Sequence, residues 1–101
     1  GQSEDVIVFA DDLEGEELRI LMNLILDHGK RLCAVFGGDE EHGFRYVIGS
    51  RILDMRPLAK ELNETFHGRG GGKSEMVQGS VQGNESEMRA WIQEKARKMN
   101  G

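Results

Sequence analysis

The chain is organised around one glycine-rich stretch, His67-Gly68-Arg69-Gly70-Gly71-Gly72-Lys73-Ser74. Glycine loses more backbone freedom on folding than any other residue, so three in a row usually indicate positive φ angles or a close backbone approach. Here they lie between two cations. Backbone N–H groups that a turn exposes between positive side chains suit a phosphate or another anion. The alternative is a flexible connector with two solvated cations.

Two common nucleotide-binding motifs do not fit this stretch. A P-loop has glycine where this chain has His67, and it follows a strand and opens a helix, whereas this stretch follows a helical pattern and precedes a strand-like one. The dinucleotide pattern G-x-G-x-x-G, begun at Gly68 and Gly70, ends on Lys73. The sequence therefore supports neither a Walker-type ATPase nor a Rossmann enzyme.

The composition is that of one small globular domain. The 101 residues are 38% hydrophobic and 31% charged, and no apolar run approaches the roughly 20 residues that cross a bilayer. The start is polar and acidic, unlike a signal peptide, and a single cysteine, Cys33, fits a reducing compartment. We therefore expect a cytoplasmic location and no membrane partner. Because there is no initiator methionine, we expect the chain either to be an excised fragment or to carry a tag scar.

Charge is distributed unevenly along the chain. The net charge is −5, yet residues 43–74 carry six cations against three acids, a net of +3. The basic part of the chain is thus the part that contains the glycines. A local basic patch on an acidic domain favours a specific phosphate-bearing partner and disfavours general nucleic-acid binding.

Hydrophobic periodicity predicts an α/β domain with a mixed sheet, in the order strand, helix, strand, strand, helix, strand, helix. The predicted strands cover residues 6–9, 32–36, 44–48 and 76–81, and the second and third form a hairpin across a loop at residues 37–43. The glycine-rich stretch is predicted to be a loop between the second helix and the last strand.

Capping residues mark the predicted helix starts. Asp11 or Asp12 caps the first helix, Asp54 or Arg56 the second, and Asn84 the third. The third helix carries an apolar stripe that includes Trp91, which we expect to lie in the core.

Residues that could perform catalysis are not arranged to do so. His28, His42 and His67 lack metal-ligand spacing with one another or with Cys33, which we interpret as a small core residue. There is no nucleophile elbow. We predict no catalytic residues, no metal ligands and no cofactor in this chain, which reads as a binding module.

Three segments together resemble a known family. Residues 57–63 (Pro-Leu-Ala-Lys-Glu-Leu-Asn), 68–73 (Gly-Arg-Gly-Gly-Gly-Lys) and 75–81 (Glu-Met-Val-Gln-Gly-Ser-Val) look like the DHH-associated domain of alanyl-tRNA synthetases, free-standing alanyl-tRNA editing proteins and DHH-type phosphoesterases. The last two segments are most similar to the editing proteins. The resemblance is specific over residues 54–81 and consistent in element order elsewhere.

The resemblance implies that residues 1–101 are one DHH-associated domain, a C-terminal fragment of a longer protein. It also implies a tRNA-binding module that serves a zinc-dependent deacylase domain elsewhere in the parent chain, with alanine tRNA as its partner and a homodimer possible. By this resemblance the nucleic-acid or phosphate site comprises His67, Arg69, Gly70, Gly71, Gly72, Lys73 and Gln78. The alternative is the substrate-binding domain of a phosphoesterase for oligonucleotides or cyclic dinucleotides, although that form often has histidine where this chain has Lys73. A third reading is a structural dimerisation module in which the glycines serve only a tight turn. An exposed apolar patch on the last helix, around Trp91, would support it.

Overall fold

The computed structural model describes residues 4–99 and contains eight helices and strands. The strands are β1 (Asp5–Phe9), β2 (Leu32–Asp39), β3 (Gly43–Ser50), β4 (Arg69–Lys73) and β5 (Met76–Val81), and the helices are α1 (Glu16–Asp27), α2 (Arg56–Thr65) and α3 (Glu85–Lys98). In the described residues no helix is both long and apolar enough to cross a membrane.

The five strands form one mixed sheet in the order β1-β2-β3-β5-β4. β1 pairs with β2 in parallel, and every other neighbouring pair is antiparallel. This confirms the predicted α/β class, the mixed sheet and the β2–β3 hairpin. The hairpin is longer than predicted: β2 and β3 extend to Asp39 and Gly43, so most of the expected loop at residues 37–43 is strand.

Helices cover the two faces of the sheet unequally. α2 and α3 pack on one face around a core that contains Phe36, Tyr46 and Ile48. On the other face α1 packs Leu18, Met22 and Leu26 against Cys33, Val35 and Val47 of the two central strands. Since one helix cannot span five strands, the half of this second face over β5 and β4 stays open to solvent. The open face defined by β4, β5 and the adjoining part of β3 is the feature that positions the site.

The glycine-rich stretch is the main correction to the sequence prediction. Arg69–Lys73 is not a loop but the edge strand β4, paired with β5 from Arg69↔Ser80 to Lys73↔Met76. The turn is only Ser74 and Glu75. Local sequence favours a loop here because glycine has low strand propensity, but the adjacent strand β5 supplies the pairing that a loop lacks.

Helix starts agree with the prediction only in part. Asn84 caps α3, where its side-chain oxygen accepts the backbone N–H of Glu87 at 3.0 Å. α1 begins after Gly15 rather than at the predicted Asp11 or Asp12, and its cap makes no side-chain hydrogen bond. α2 begins after Met55, although the Asp54 carboxylate still accepts the backbone N–H of Arg56 at 3.0 Å.

Trp91 lies at the border of the core rather than inside it. Its ring is half-buried, meets Phe66 edge-on with centroids 5.9 Å apart, and has the Lys95 ammonium 5.4 Å from its centroid. The exposed apolar patch that the dimerisation reading places around Trp91 is therefore not there. The large exposed apolar side chains of the described residues are instead Ile20, Leu24 and Ile52.

Candidate nucleic-acid interface

The register of β4 decides which of the predicted site residues face one another. Opposite residues of an antiparallel pair project to the same side of a sheet. Arg69, Gly71 and Lys73 oppose Ser80, Gln78 and Met76, and that side is the open face. The structure therefore brings four of the predicted site residues together on one face: Arg69, Gly71, Lys73 and Gln78. Gly70 and Gly72 project to the other side, toward α2.

Gly70 and Gly79 lie in the same cross-strand row as Tyr46, which explains why neither position carries a side chain. Tyr46 opposes Gly79, which opposes Gly70, so the tyrosine side chain lies across both. A Cβ at Gly70 would lie 2.6 Å from the Gly79 Cα and 2.8 Å from the Tyr46 hydroxyl oxygen. That hydroxyl donates to Asn63 Oδ1 of α2 at 2.9 Å, and Asn63 Nδ2 donates to the Gly70 carbonyl at 3.3 Å. Gly70 is thus packed against Gly79 and Tyr46, and its place in the nucleic-acid site stays a prediction.

Gly71 differs from its two neighbours. A Cβ built there meets no atom within 4 Å, and Gly71 is not among the positive-φ residues, whereas Gly70 and Gly72 have φ of 147° and 155°. Its Cα therefore opens directly onto the open face. A bulky ligand group can approach the backbone at this one point of β4.

The cations of the open face have no acidic partners within residues 4–99. Most other cations form ion pairs: Arg19, Arg31, Arg51, Arg56, Arg89, Lys95, Arg97 and Lys98. Arg45, Arg69 and Lys73 form none with any residue from 4 to 99. Arg45 lies in the same row as Arg69, with Ser80 between them, which sets their Cα atoms about two strand spacings, or about 10 Å, apart.

Two depressions follow the junction of the open face with α1. One, of about 380 Å³, is lined on the sheet side by Gly71, Lys73 and Gln78 and on the helix side by Met22 and Asn23. The other, of about 280 Å³, is lined by Gln78, Arg45 and Leu18, among others. Because Gln78 borders both, the two depressions adjoin, and we refer to them together as the groove.

His67 is the predicted site residue that the structure places apart. It precedes β4 with a φ of 52°, is exposed, and borders a separate depression of about 260 Å³ together with His42, Arg45 and Ser80. The larger depression beside Gln78 does not include it. The depression beside His67 adjoins the groove at Arg45, which borders both this depression and the one beside Leu18.

Sequence reasoning missed two cations of the groove. Arg45 alternates with buried residues of β3, so the two-residue period of a strand places it on a solvated face of the sheet. The sequence does not show that β5 and β4 lie beside it, because that depends on the strand register. Arg51 borders the larger depression while its guanidinium holds Asp27 of α1 at 2.7 Å. No sequence signal indicates that pairing, because the two residues meet only through the packing of α1.

The groove is described by its charge and by the pKa of one tyrosine. No group of three or more His, Cys, Asp or Glu side chains among residues 4–99 could hold a metal ion. Tyr46, the one tyrosine near the groove, has a raised pKa because burial disfavours the phenolate, although Asn63 opposes this. The chemistry that the open face presents is the positive charge of Arg45, Arg69 and Lys73 and the amide of Gln78.

A family assignment follows from the sequence over nearly the whole chain. The sequence model of the DHHA1 domain matches residues 3–99. The chain belongs to the DHHA1 domain family. This confirms the family predicted from the glycine-rich stretch and the segments on either side of it.

Two relatives place this DHHA1 domain more narrowly. It is 31% identical over 75 residues to an alanine–tRNA ligase of Acholeplasma laidlawii (strain PG-8A), a match that covers 74% of this chain and 9% of the ligase. Its structure is similar to the C-Ala domain of Aquifex aeolicus alanyl-tRNA synthetase, with a TM-score of 0.75, 20% identity, and coverage of 89% of this chain and 87% of that one. The DHHA1 domain thus spans about a tenth of the ligase, and it has the C-Ala fold.

Proposed function

We propose that this DHHA1 domain binds tRNA on the open face of its sheet. The observation that carries the proposal is the placement of Arg45, Arg69 and Lys73, three cations without acidic partners on one exposed surface of an acidic domain. An unpaired cation can neutralise a phosphate and release its counterions without first losing an ion pair. The similarity to an alanine–tRNA ligase supports tRNA as the nucleic acid.

The groove favours contacts to phosphates and ribose over contacts to bases. The side chains on the open face of β5 and β4 are Met76, Gln78, Ser80, Arg69 and Lys73, with none aromatic. Sequence-specific RNA modules stack bases on aromatic rings, and this face provides no such ring. Positive charge, the Gln78 amide and the bare backbone at Gly71 instead suit the shape and backbone of a folded RNA.

The finer part of the proposal concerns the parent protein. We place the DHHA1 domain in an alanyl-tRNA editing protein, where it would hold mischarged alanine tRNA while a zinc-dependent domain of the same chain removes the amino acid. The segments Gly68–Lys73 and Glu75–Ser80 support this choice through their resemblance to editing proteins. In this proposal the DHHA1 domain only binds tRNA, and the hydrolase activity and the zinc belong to the other domain of the parent protein. The proposal places that protein in the cytoplasm.

A second candidate is the substrate-binding domain of a DHH-type phosphoesterase. One observation favours it: the depression beside Gly71 and Lys73 has a volume of about 380 Å³, within the usual range of small-ligand sites, so a nucleotide could occupy it. The two candidates differ in ligand size, because tRNA must contact the whole row of cations whereas a dinucleotide need reach only this depression.

A titration with labelled alanine tRNA at two salt concentrations tests the proposal. Arg69→Glu and Lys73→Glu are each expected to weaken binding and to lower the salt slope by about 1, since each cation neutralises about one phosphate. Lys60→Glu is the matched control, because Lys60 is also exposed and without an ion pair among residues 4–99 but lies on α2, at the opposite face.

Three results would contradict the proposal. If Lys60→Glu weakens binding as much as Lys73→Glu, the interaction is general electrostatics rather than a site. If a short dinucleotide displaces the tRNA stoichiometrically, the phosphoesterase reading replaces it. If no salt-dependent binding occurs at all, the open face does not bind RNA.

A further inference from the structure

His67 has a backbone conformation that side chains rarely adopt. It follows the end of α2 with a φ of 52°, and among residues 4–99 it is the one non-glycine residue with positive φ. The next residue, Gly68, closes the helix end by donating its N–H to the Asn63 carbonyl at 2.8 Å. Glycine is the usual residue at the left-handed position after a helix, because it enters that region without strain. The helix end itself therefore does not require a histidine.

Within residues 4–99 the His67 side chain has no polar partner that would offset this strain. The residue is exposed, and its imidazole makes no hydrogen bond or ion pair with the described chain. The nearby His42 differs, because its Nδ1 lies 3.0 Å from an Asp39 carboxylate oxygen that also accepts its backbone N–H. A strained residue with a free side chain points to a function in binding.

The sheet register brings His67 to one end of the basic open face. Arg45 opposes Ser80, and just past the end of β5 the Gln82 N–H donates to the Phe66 carbonyl at 2.9 Å. Since His67 directly follows Phe66, it lies one row beyond Arg45 and Ser80. These two residues, His67 and Gln82 border the same depression, which has a volume of about 260 Å³.

The walls of this depression suit a phosphate. Arg45 provides a guanidinium without an acidic partner in residues 4–99, and an imidazole such as that of His67 has an N–H donor in either protonation state. The Ser80 hydroxyl and the Gln82 amide add neutral donors. Within the part of the chain that the structure describes, no acidic residue lines the depression. A phosphate there meets hydrogen-bond donors and a positive charge without a facing carboxylate.

From this combination we propose that the depression is a second phosphate subsite, in which Arg45 and His67 hold one phosphate group. The choice of RNA as the source of that phosphate rests on the proposed function. Arg69 and Lys73 are four residues apart on β4, so about 14 Å separates the two ends of the open face. One phosphate group cannot span that distance. An RNA backbone on this face therefore places one phosphate at Lys73 and another at Arg45 and His67.

A titration with inorganic phosphate tests the subsite without RNA. The histidine ring protons of the 101-residue chain are followed by NMR at constant pH and ionic strength. We expect the His67 signals to shift saturably, and those of His28, which is exposed at the end of α1, to serve as the unshifted reference. Arg45→Gln should weaken phosphate binding about threefold or more, because it removes a charged donor.

The matched control for this titration is Lys60→Gln, which removes an exposed cation of α2 and should leave the His67 shift unchanged. Shifts of His28 equal to those of His67 would overturn the inference. A His67 shift that is as large and as tight in Arg45→Gln as in the parent chain would overturn it as well.

A double-mutant cycle with labelled alanine tRNA tests whether the two residues share one phosphate. Arg45→Gln and His67→Gly should each weaken binding about threefold or more, and together by less than the product of the two losses. The losses of His67→Gly and Lys73→Gln should multiply, because those residues hold separate phosphates. Losses that multiply for Arg45→Gln and His67→Gly would overturn the shared subsite.

Thermal unfolding separates binding from stability. His67→Gly is expected to leave Tm unchanged or to raise it, since glycine relieves the strained φ, and a Tm that falls together with the affinity would overturn the inference. The subsite and the proposed function fail separately. If Lys73→Gln weakens tRNA binding but neither Arg45→Gln nor His67→Gly does, the subsite alone is refuted. If phosphate shifts His67 in a chain that binds no tRNA, RNA binding is refuted and the subsite stands.

Discussion

The strongest prediction from the packing of β4 is that alanine is harmful at one glycine of the β4–β5 pair and harmless at another. At Gly79 a new Cβ would lie 2.8 Å from the Gly70 Cα and 2.8 Å from the Tyr46 hydroxyl oxygen, and closer still to the Arg69 carbonyl oxygen. Carbon atoms normally touch at about 3.5–4.0 Å, so β4 must move by roughly 0.7 Å or more. That movement also disturbs the hydroxyl that holds Asn63.

The expected magnitudes follow from these distances. Overpacking of this kind destabilises by about 1–3 kcal/mol. Gly71→Ala meets no atom within 4 Å and needs no positive φ, so it is expected to be neutral or to stabilise by about 0.4–1 kcal/mol through the unfolded chain. Since about 1 kcal/mol shifts Tm by about 4–8 °C in a domain of this size, the Tm values of the two variants should differ by roughly 4 °C or more.

The assay is thermal unfolding followed by circular dichroism, repeated by urea titration to compare free energies at one temperature. Equal destabilisation by the two substitutions would refute the reasoning, because the glycines would then be required for a reason other than the contact between β4, β5 and Tyr46. A neutral Gly79→Ala would refute it as well, because the close approach of the two strands would not exist in solution.

Three further predictions concern single groups. Tyr46→Phe removes the hydrogen bond to Asn63 and is expected to lower the free energy of unfolding by about 1 kcal/mol in urea titrations; an unchanged value would mean that the hydroxyl is not held. Hydrogen bonds from the Arg56 guanidinium and backbone lower the pKa of Asp54 to about 2. The stability that Asp54 contributes is therefore present above its unfolded pKa and is lost as pH falls through about 2. Asp54→Asn should flatten the pH dependence of Tm below about pH 4, and a variant curve parallel to that of the parent chain would contradict this. Burial raises the pKa of the Cys33 thiol to about 12, so a thiol reagent at neutral pH should react only as fast as the domain unfolds, and rapid labelling of the native chain would contradict its burial.

Much of the fold can be predicted from local sequence. Met76–Val81 and the cap at Asn84 are placed correctly, because alternation and capping depend on neighbours within a few residues. The strand at residues 69–73 is not predictable in this way, since three glycines carry no strand signal and the strand exists only because β5 and Tyr46 lie beside it. The same limit explains the extended β2–β3 hairpin, where cross-strand pairing carries the ladder through glycines that by themselves indicate a turn.

The sequence by itself determined the α/β class, the family and the basic character of residues 43–74, because these depend on composition, periodicity and short motifs. Only the tertiary structure decided what the glycines do: the register assigns Gly70 to packing against Tyr46 and leaves Gly71 open to a ligand. It also brought Arg45 into line with Arg69 across β5. The physical reason is that a site on a sheet face is built from neighbours across strands, and those neighbours are far apart in sequence.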